Sequence, residues 1–293
     1  MRPRRRRTSH HYRTSSPCRP VRGDRDLESY LRPGGAAMTT RRFIKTYRDA
    51  RAADTAREHY RWLTGLNAGI EYPEMIGGTD TTLGFAHVTG RAAELDDLPA
   101  VAAVLGRLHY AARRAGIDQA QVNSRYITPG GRWLAPFAGP RRKRLHHQRD
   151  QTPDSPLDHQ DIDAWLDHAA LFPAAIYKDS NPRNFLITPD RGPVLVDFDS
   201  LTLAPVGYDL AKLLVTTGMT YGRLPRSAAD DAVAAYTHEL GEPCSHTEIA
   251  VWAEFHDLLT RRYLGRHGYR HPWSAVRPWP AHDVTSTPTK RSR

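Results

Sequence analysis

Between residues 176 and 199 the chain has few local structures open to it. A polar loop carries Asp179 and Asn184 five positions apart and runs into a short apolar segment, Phe185 to Ile187. A turn follows at Pro189-Asp-Arg-Gly-Pro193, then a second apolar segment, Val194 to Val196, that ends on Asp197-Phe198-Asp199. Short apolar runs bounded by Pro, Gly and Asp read as strands joined by a tight turn. The stretch is therefore a hairpin that gathers acids at one edge. Carboxylates brought together repel one another unless a cation neutralises them, and oxygen ligands of this kind suit hard divalent ions.

Phosphoryl transfer from a nucleotide needs a group that accepts the proton of the incoming hydroxyl, together with oxygen ligands for magnesium. In protein kinases an Asp, an Asn shortly after it and an Asp at the end of the next strand supply them. The residues Tyr177-Lys178-Asp179, Asn184, Asp197-Phe198-Asp199 and Tyr208-Asp209-Leu210-Ala211 resemble the aminoglycoside phosphotransferase and choline kinase family of small-molecule phosphotransferases. That family reads His-Gly-Asp, four residues, Asn, then Asp-Phe-Asp, and later Tyr-Asp-Leu-Ala. Two positions depart from it: Tyr177 stands where the usual His would be and Lys178 where the usual Gly would be. The resemblance runs from about Phe43 to Trp273 and is sharp in the centre. An Asp and an Asn at this spacing are common, and both are ordinary turn formers. It is the four motifs in one order that carry the resemblance.

The resemblance implies an α+β, bilobal protein-kinase-like fold. Residues 38–91 would form a small strand-rich lobe that binds nucleotide, and residues 92–279 a larger helical lobe with the catalytic loop and acceptor pocket. It also implies transfer of the γ-phosphoryl of ATP or GTP to a hydroxyl of a small molecule, with Mg2+. Asp179 would be the base, with Asn184, Asp197 and Asp199 at the metal and Asp209 bracing the loop. Lys178, a cation beside the base, is expected to reach the transferring phosphate. The adenine would lie near Ala86 to Val88.

Residues 41–48 alternate as a strand, and 49–63 carry a helical apolar face through Ala52, Ala56, Tyr60 and Leu63. This places Lys45 on a strand and Glu58 on the next helix, the kinase arrangement in which an ion pair aims the lysine at nucleotide phosphates. No glycine-rich hairpin is legible before Lys45, because Arg32-Pro-Gly-Gly-Ala-Ala37 has glycines without flanking strands. The alternative reading is therefore a catalytically inactive kinase-like binding module. The small lobe is truncated if translation starts at Met38, where the composition changes.

Two further strands are expected at 72–76 and 83–88, around a turn at Gly77-Gly-Thr-Asp80, and helices at 98–115, 161–171, 208–215, 228–240 and 248–263. Leu108-His109 reads as a packed, structural histidine. Residues 123–156 read as irregular, with a basic cluster at Pro140-Arg-Arg-Lys-Arg-Leu-His-His147. In the resembling family the last helices form the acceptor pocket, so Glu254, His256 and Asp257 are candidate contacts.

Of the net charge of +10, residues 1–37 hold seven, ten Arg against Asp24, Asp26 and Glu28. That segment is Arg-, Ser- and Pro-rich, a composition that does not offset its ordering entropy. A nucleic-acid partner rests on this charge alone and is the weaker reading. No apolar run reaches the roughly eighteen residues of a membrane span. Cys18 and Cys244 have no metal-type spacing. A soluble, cytoplasmic protein with a small-molecule hydroxyl acceptor is expected, and residues 280–293 read as a polar tail.

Overall fold

The computed structural model describes residues 41–281 and Val284. The expectations for residues 1–37, including Cys18 and the Arg32–Ala37 glycines, and for most of the tail lie outside these residues.

The described chain begins with β1 (Arg42–Thr46) and α1 (Ala50–Gly65), followed by the hairpin β2 (Met75–Thr79) and β3 (Thr82–Ala86). The three strands form an antiparallel sheet in the order β1-β3-β2. Asp49 starts α1 by accepting the Ala52 N–H at 2.8 Å, which satisfies one of the donors left open at a helix start. The hairpin lies a few residues later than the glycines suggest. Gly77 and Gly78 are inside β2, with φ of 136° and 155°, and the turn is at Asp80-Thr81. A Cβ on Gly78 would come within 2.2 Å of the Thr82 carbonyl oxygen, so these glycines serve strand approach rather than chain reversal.

A two-residue strand, β4 (Arg91–Ala92), leads to α2 (Leu98–Arg114). The segment expected to be irregular instead holds β5 (Tyr126–Ile127), β6 (Trp133–Leu134) and α3 (Ala138–Asp150). The basic cluster is thus helical: Pro140 falls in the first turn, where its missing N–H costs nothing. Leu145 is buried, and Arg142 pairs with Asp163 and Asp167 of the next helix. That helix is α4 (His159–Ala169).

The central region comprises β7 (Ala175–Tyr177), the hairpin β8 (Phe185–Thr188) and β9 (Gly192–Leu195), and β10 (Thr202–Ala204). β8 pairs with both β4 and β9, and β10 pairs with β7. The rest is helical: α5 (Tyr208–Tyr221), α6 (Arg226–Leu240), α7 (His246–Thr260) and the short α8 (Trp273–Val276). Every residue of α5 from Tyr208 to Met219 is buried, and so is nearly all of α7, as befits helices surrounded by other elements. Gly106 lets α2 cross α6 closely, since a Cβ there would lie 2.5 Å from the Tyr236 carbonyl oxygen. Trp279 and Val284 are buried, so the packed body reaches past residue 280. Among the described residues no helix is long and apolar enough to cross a membrane.

Candidate active site

β7 and β8 are joined by the loop that holds Asp179 and Asn184, while β9 ends at the loop that holds Asp197 and Asp199. Asn184 ties the two loops together. Its side-chain N–H donates to the Asp179 carbonyl at 2.9 Å, and its own carbonyl accepts the Val196 N–H at 2.9 Å. Asp179 and Asp197 have φ of 68° and 66°, a conformation uncommon outside glycine. Strain of this sort persists only where surrounding bonds impose it, and it concentrates at functional loops.

Asp209 imposes much of it. It is fully buried at the start of α5, and its carboxylate accepts the Lys178 N–H at 3.0 Å and the Ser180 N–H at 2.9 Å, bracketing Asp179. Burial alone would raise its pKa, but His109 and those two N–H groups outweigh it and hold the carboxyl below the usual range. Tyr236 bonds His109 Nδ1 at 2.7 Å, and the other ring nitrogen faces Asp209 at 3.9 Å, beyond hydrogen-bonding length. The Leu-His of α2 is thus packed, as its sequence context suggests, directly behind the loop.

Lys45 reaches this site from β1. Its Nζ lies 2.8 Å from Asp197 and 2.7 Å from Asp199, and Tyr47 donates to Asp199 at 3.1 Å. Burial depresses the Lys45 pKa, but the two carboxylates reverse the balance and raise it. For Asp197 burial works upward, and Lys45 and Lys178 overcome it and pull the carboxyl down.

The expected Lys45–Glu58 pair is not formed; Glu58 pairs with Arg132 on the β5–β6 turn. The reason is helical geometry. Glu58 follows the buried Ala56 by two residues, about 200° around α1, and so faces away from the small sheet. His59, one position on, turns inward and donates from Nδ1 to the Phe198 carbonyl at 3.0 Å. The Phe198 ring meets Tyr60, Tyr72 and Phe85 at 5.1, 5.9 and 6.1 Å between centroids. This aromatic group joins α1, the small sheet and the acidic loop. Ala86 and Val88 fall at and just past the end of β3 and are half-buried.

Lys178 does not reach outward as expected. Its side chain is buried, and Nζ donates to the Val196 carbonyl at 2.9 Å beneath the acidic loop. Burial pushes its pKa down. The cation at Asp179 is Lys212 of α5, whose Nζ is 3.5 Å from Oδ1; the Tyr177 hydroxyl donates to that same oxygen at 2.8 Å. A lone lysine in the apolar run Leu210-Ala-Lys-Leu-Leu214 was the sequence signal for it. Glu254, His256 and Asp257 are interior rather than lining an open surface. Trp273 Nε1 donates to Glu254 at 2.9 Å, His256 donates to the Tyr208 carbonyl at 2.9 Å, and Arg261 pairs with Asp257 at 2.6 Å. Such carboxylates are recruited by buried donors on adjacent segments, which helical spacing alone does not reveal.

Comparison with known proteins gives this geometry a context. Residues 17–248 match the model of the phosphotransferase enzyme family. No curated protein matches the sequence. The aminoglycoside phosphotransferase of Alicyclobacillus acidocaldarius superposes with a TM-score of 0.53 at 15% identity, covering 77% of this chain and 78% of that one. Macrolide 2′-phosphotransferase MphH of Brachybacterium faecium gives 0.50 at 16%, covering 82% and 85%. Choline kinase LicA of Streptococcus pneumoniae gives 0.50 at 14%, covering 78% and 82%. At these identities the likeness is one of fold, the bilobal kinase-like arrangement of a small sheet over a helical body.

Proposed function

This chain belongs to the phosphotransferase enzyme family, and from that membership we propose that it moves the γ-phosphoryl of ATP or GTP to a hydroxyl of a small molecule. The observation that carries this reading is the strained loop pair, with Asp179 and Asp197 both at positive φ and tied through Asn184. Asp179 is the base. Its side chain is 46% exposed, and Tyr177 anchors Oδ1, which steadies the carboxylate for the incoming hydroxyl's proton. Because the loop is held from behind by Asp209, little reorganisation is needed when the hydroxyl arrives.

The donor set fits magnesium. Asp197 and Asp199 offer hard carboxylate oxygens at a partly open edge, and Asn184 spends its N–H on the Asp179 carbonyl, leaving its side-chain oxygen as a ligand. Bound there, the ion would neutralise phosphate charge. Lys45, oriented by Asp197 and Asp199 rather than by Glu58, would lend a cation to the phosphates, and the adenine would lie near Ala86 and Val88. A cytoplasmic setting accords with such a nucleotide-dependent activity.

The test is calorimetry of ATP and GTP binding to the full chain, with and without magnesium, beside Asp197→Ala. Binding that requires both magnesium and Asp197 is expected. Nucleotide binding indifferent to Asp197, or none at all in a folded chain, would overturn the reading.

A further inference from the structure

Two cations that this reading does not use lie beside the base, Lys212 against Asp179 itself and Arg141 over the ring of Tyr177, which bonds Asp179. Lys212 is nine-tenths buried, 3.5 Å from Asp179 Oδ1, and donates to Thr260 Oγ1 at 3.3 Å. Burial works to discharge it, but Asp179, Tyr269 and Tyr208 outweigh that and keep it an ammonium. Arg141 extends from α3 with its guanidinium over the rings of Phe137, Tyr177 and Tyr208, at 4.6, 5.2 and 5.5 Å from their centroids. These are distances at which a ring face attracts a cation. Arg141 also donates to the Phe137 carbonyl at 3.0 Å and to Thr202 Oγ1 at 3.2 Å. The Tyr208 hydroxyl is a further partner, and a guanidinium has five N–H donors, more than these acceptors consume.

Little nearby opposes this charge. His256 stacks on Tyr177 at 5.9 Å, and burial, reinforced by Lys212 and Arg141, drives its pKa well below the ordinary value, so the ring is neutral. Carboxylates on adjoining helices are already engaged: Asp163 and Asp167 by Arg142, Asp257 by Arg261, and Glu254 by Trp273 and Arg277. Asp209 is likewise engaged, by the Lys178 and Ser180 N–H groups, so Lys212 faces Asp179 directly while Arg141 lies over the Tyr177 ring whose hydroxyl bonds the same carboxylate. An acceptor bearing an ammonium would meet Lys212 at the base it must approach. The aromatic faces that could hold that ammonium are covered by Arg141.

We infer that the acceptor, on the phosphotransfer reading above, is an anionic hydroxy compound whose carboxylate or phosphate is held by Arg141 and Lys212. Polyamines and quaternary ammonium alcohols are excluded from the site.

The experiment is acceptor titration by calorimetry on the full chain, with and without magnesium and a non-hydrolysable ATP analogue. The probes are gluconate, glucose 6-phosphate, glucose, choline and kanamycin. At least one anion should bind tenfold or more tightly than glucose, with no measurable heat from choline or kanamycin. Gluconate alone would mark the site as one for carboxylates, glucose 6-phosphate alone as one for phosphates. Lys212→Met and, separately, Arg141→Met should shrink the preference to below threefold. Glucose, choline or kanamycin binding as tightly as both anions would overturn the inference. So would no binding of either anion, or a preference unchanged in both variants. Loss of nucleotide binding in the first step would instead count against the transfer reading, and the titration without nucleotide reports on acceptor charge in either case.

Discussion

Asp209 and Glu254 are buried carboxylates on the packed helices α5 and α7, yet the protein pushes them in opposite directions. Asp209 is held below the ordinary carboxylate value, while Glu254 is pushed up to about 7. Burial opposes ionisation in both, so the difference lies in the donors. Asp209 receives two backbone N–H groups from the loop around Asp179, with His109 behind it. Those donors are fixed by the chain and lose no side-chain freedom in bonding. Glu254 has the Trp273 indole N–H at 2.9 Å and an Arg277 contact at 3.3 Å, which burial outweighs. Asp257, on the same helix, is also raised by burial, against the pull of Arg261. The carboxylate that bonds the Asp179 loop is held charged, and those within α7 are pushed toward the neutral form.

The largest expected effect concerns the exposed carboxylate that this arrangement serves. Asp179→Ala should lower turnover roughly a thousandfold, about 4 kcal/mol in the barrier, in a chain that remains folded. Turnover unchanged in a coupled assay would remove Asp179 from the role of base. Asp209→Ala leaves the Lys178 and Ser180 N–H groups without their acceptor and should cost about 3 kcal/mol in urea unfolding; a loss near zero would break the comparison at its charged end.

The pH dependences should run in opposite senses. Asp209's contribution is present above the ordinary value of 3.8 and is lost as pH falls through its lowered folded value. For Glu254, the unfolded chain releases its proton near 4.5 while the folded chain keeps it to about 7. Its favourable contribution is thus full below 4.5 and disappears as pH rises through 7. Glu254→Gln should stabilise the protein by about 1–3 kcal/mol at pH 8 and leave it unchanged at pH 4, as thermal melts at the two pH values would reveal. A gain equal at both would show the carboxyl to be uninvolved. Glu58→Ala should have the smallest effect, under about 1 kcal/mol for a half-exposed pair with Arg132, with nucleotide affinity unaltered. A large fall in affinity would restore Glu58 as the partner of Lys45.

What was legible in the sequence was local. Asp179, Asn184 and Asp197 fall in loops punctuated by Pro and Gly beside short apolar strands, and spacing along the chain sufficed to gather them on one hairpin. The helices with one clear apolar face, α1 and α2, could be read to within two residues of their ends. Composition misled where glycines sat inside β2 and where arginines covered α3, since neither local signal records which surface a neighbouring element will protect.

Tertiary structure alone decided which charges meet. Lys45 turned to Asp197 and Asp199, Glu58 to Arg132, Lys178 inward to Val196 and Lys212 to Asp179. Partners over a hundred residues apart in the chain, as Lys45 and Asp197 are, are brought together by the packing of separate elements. Spacing in the chain reports side-chain direction within one element, whereas an ion pair depends on the angle at which two elements cross.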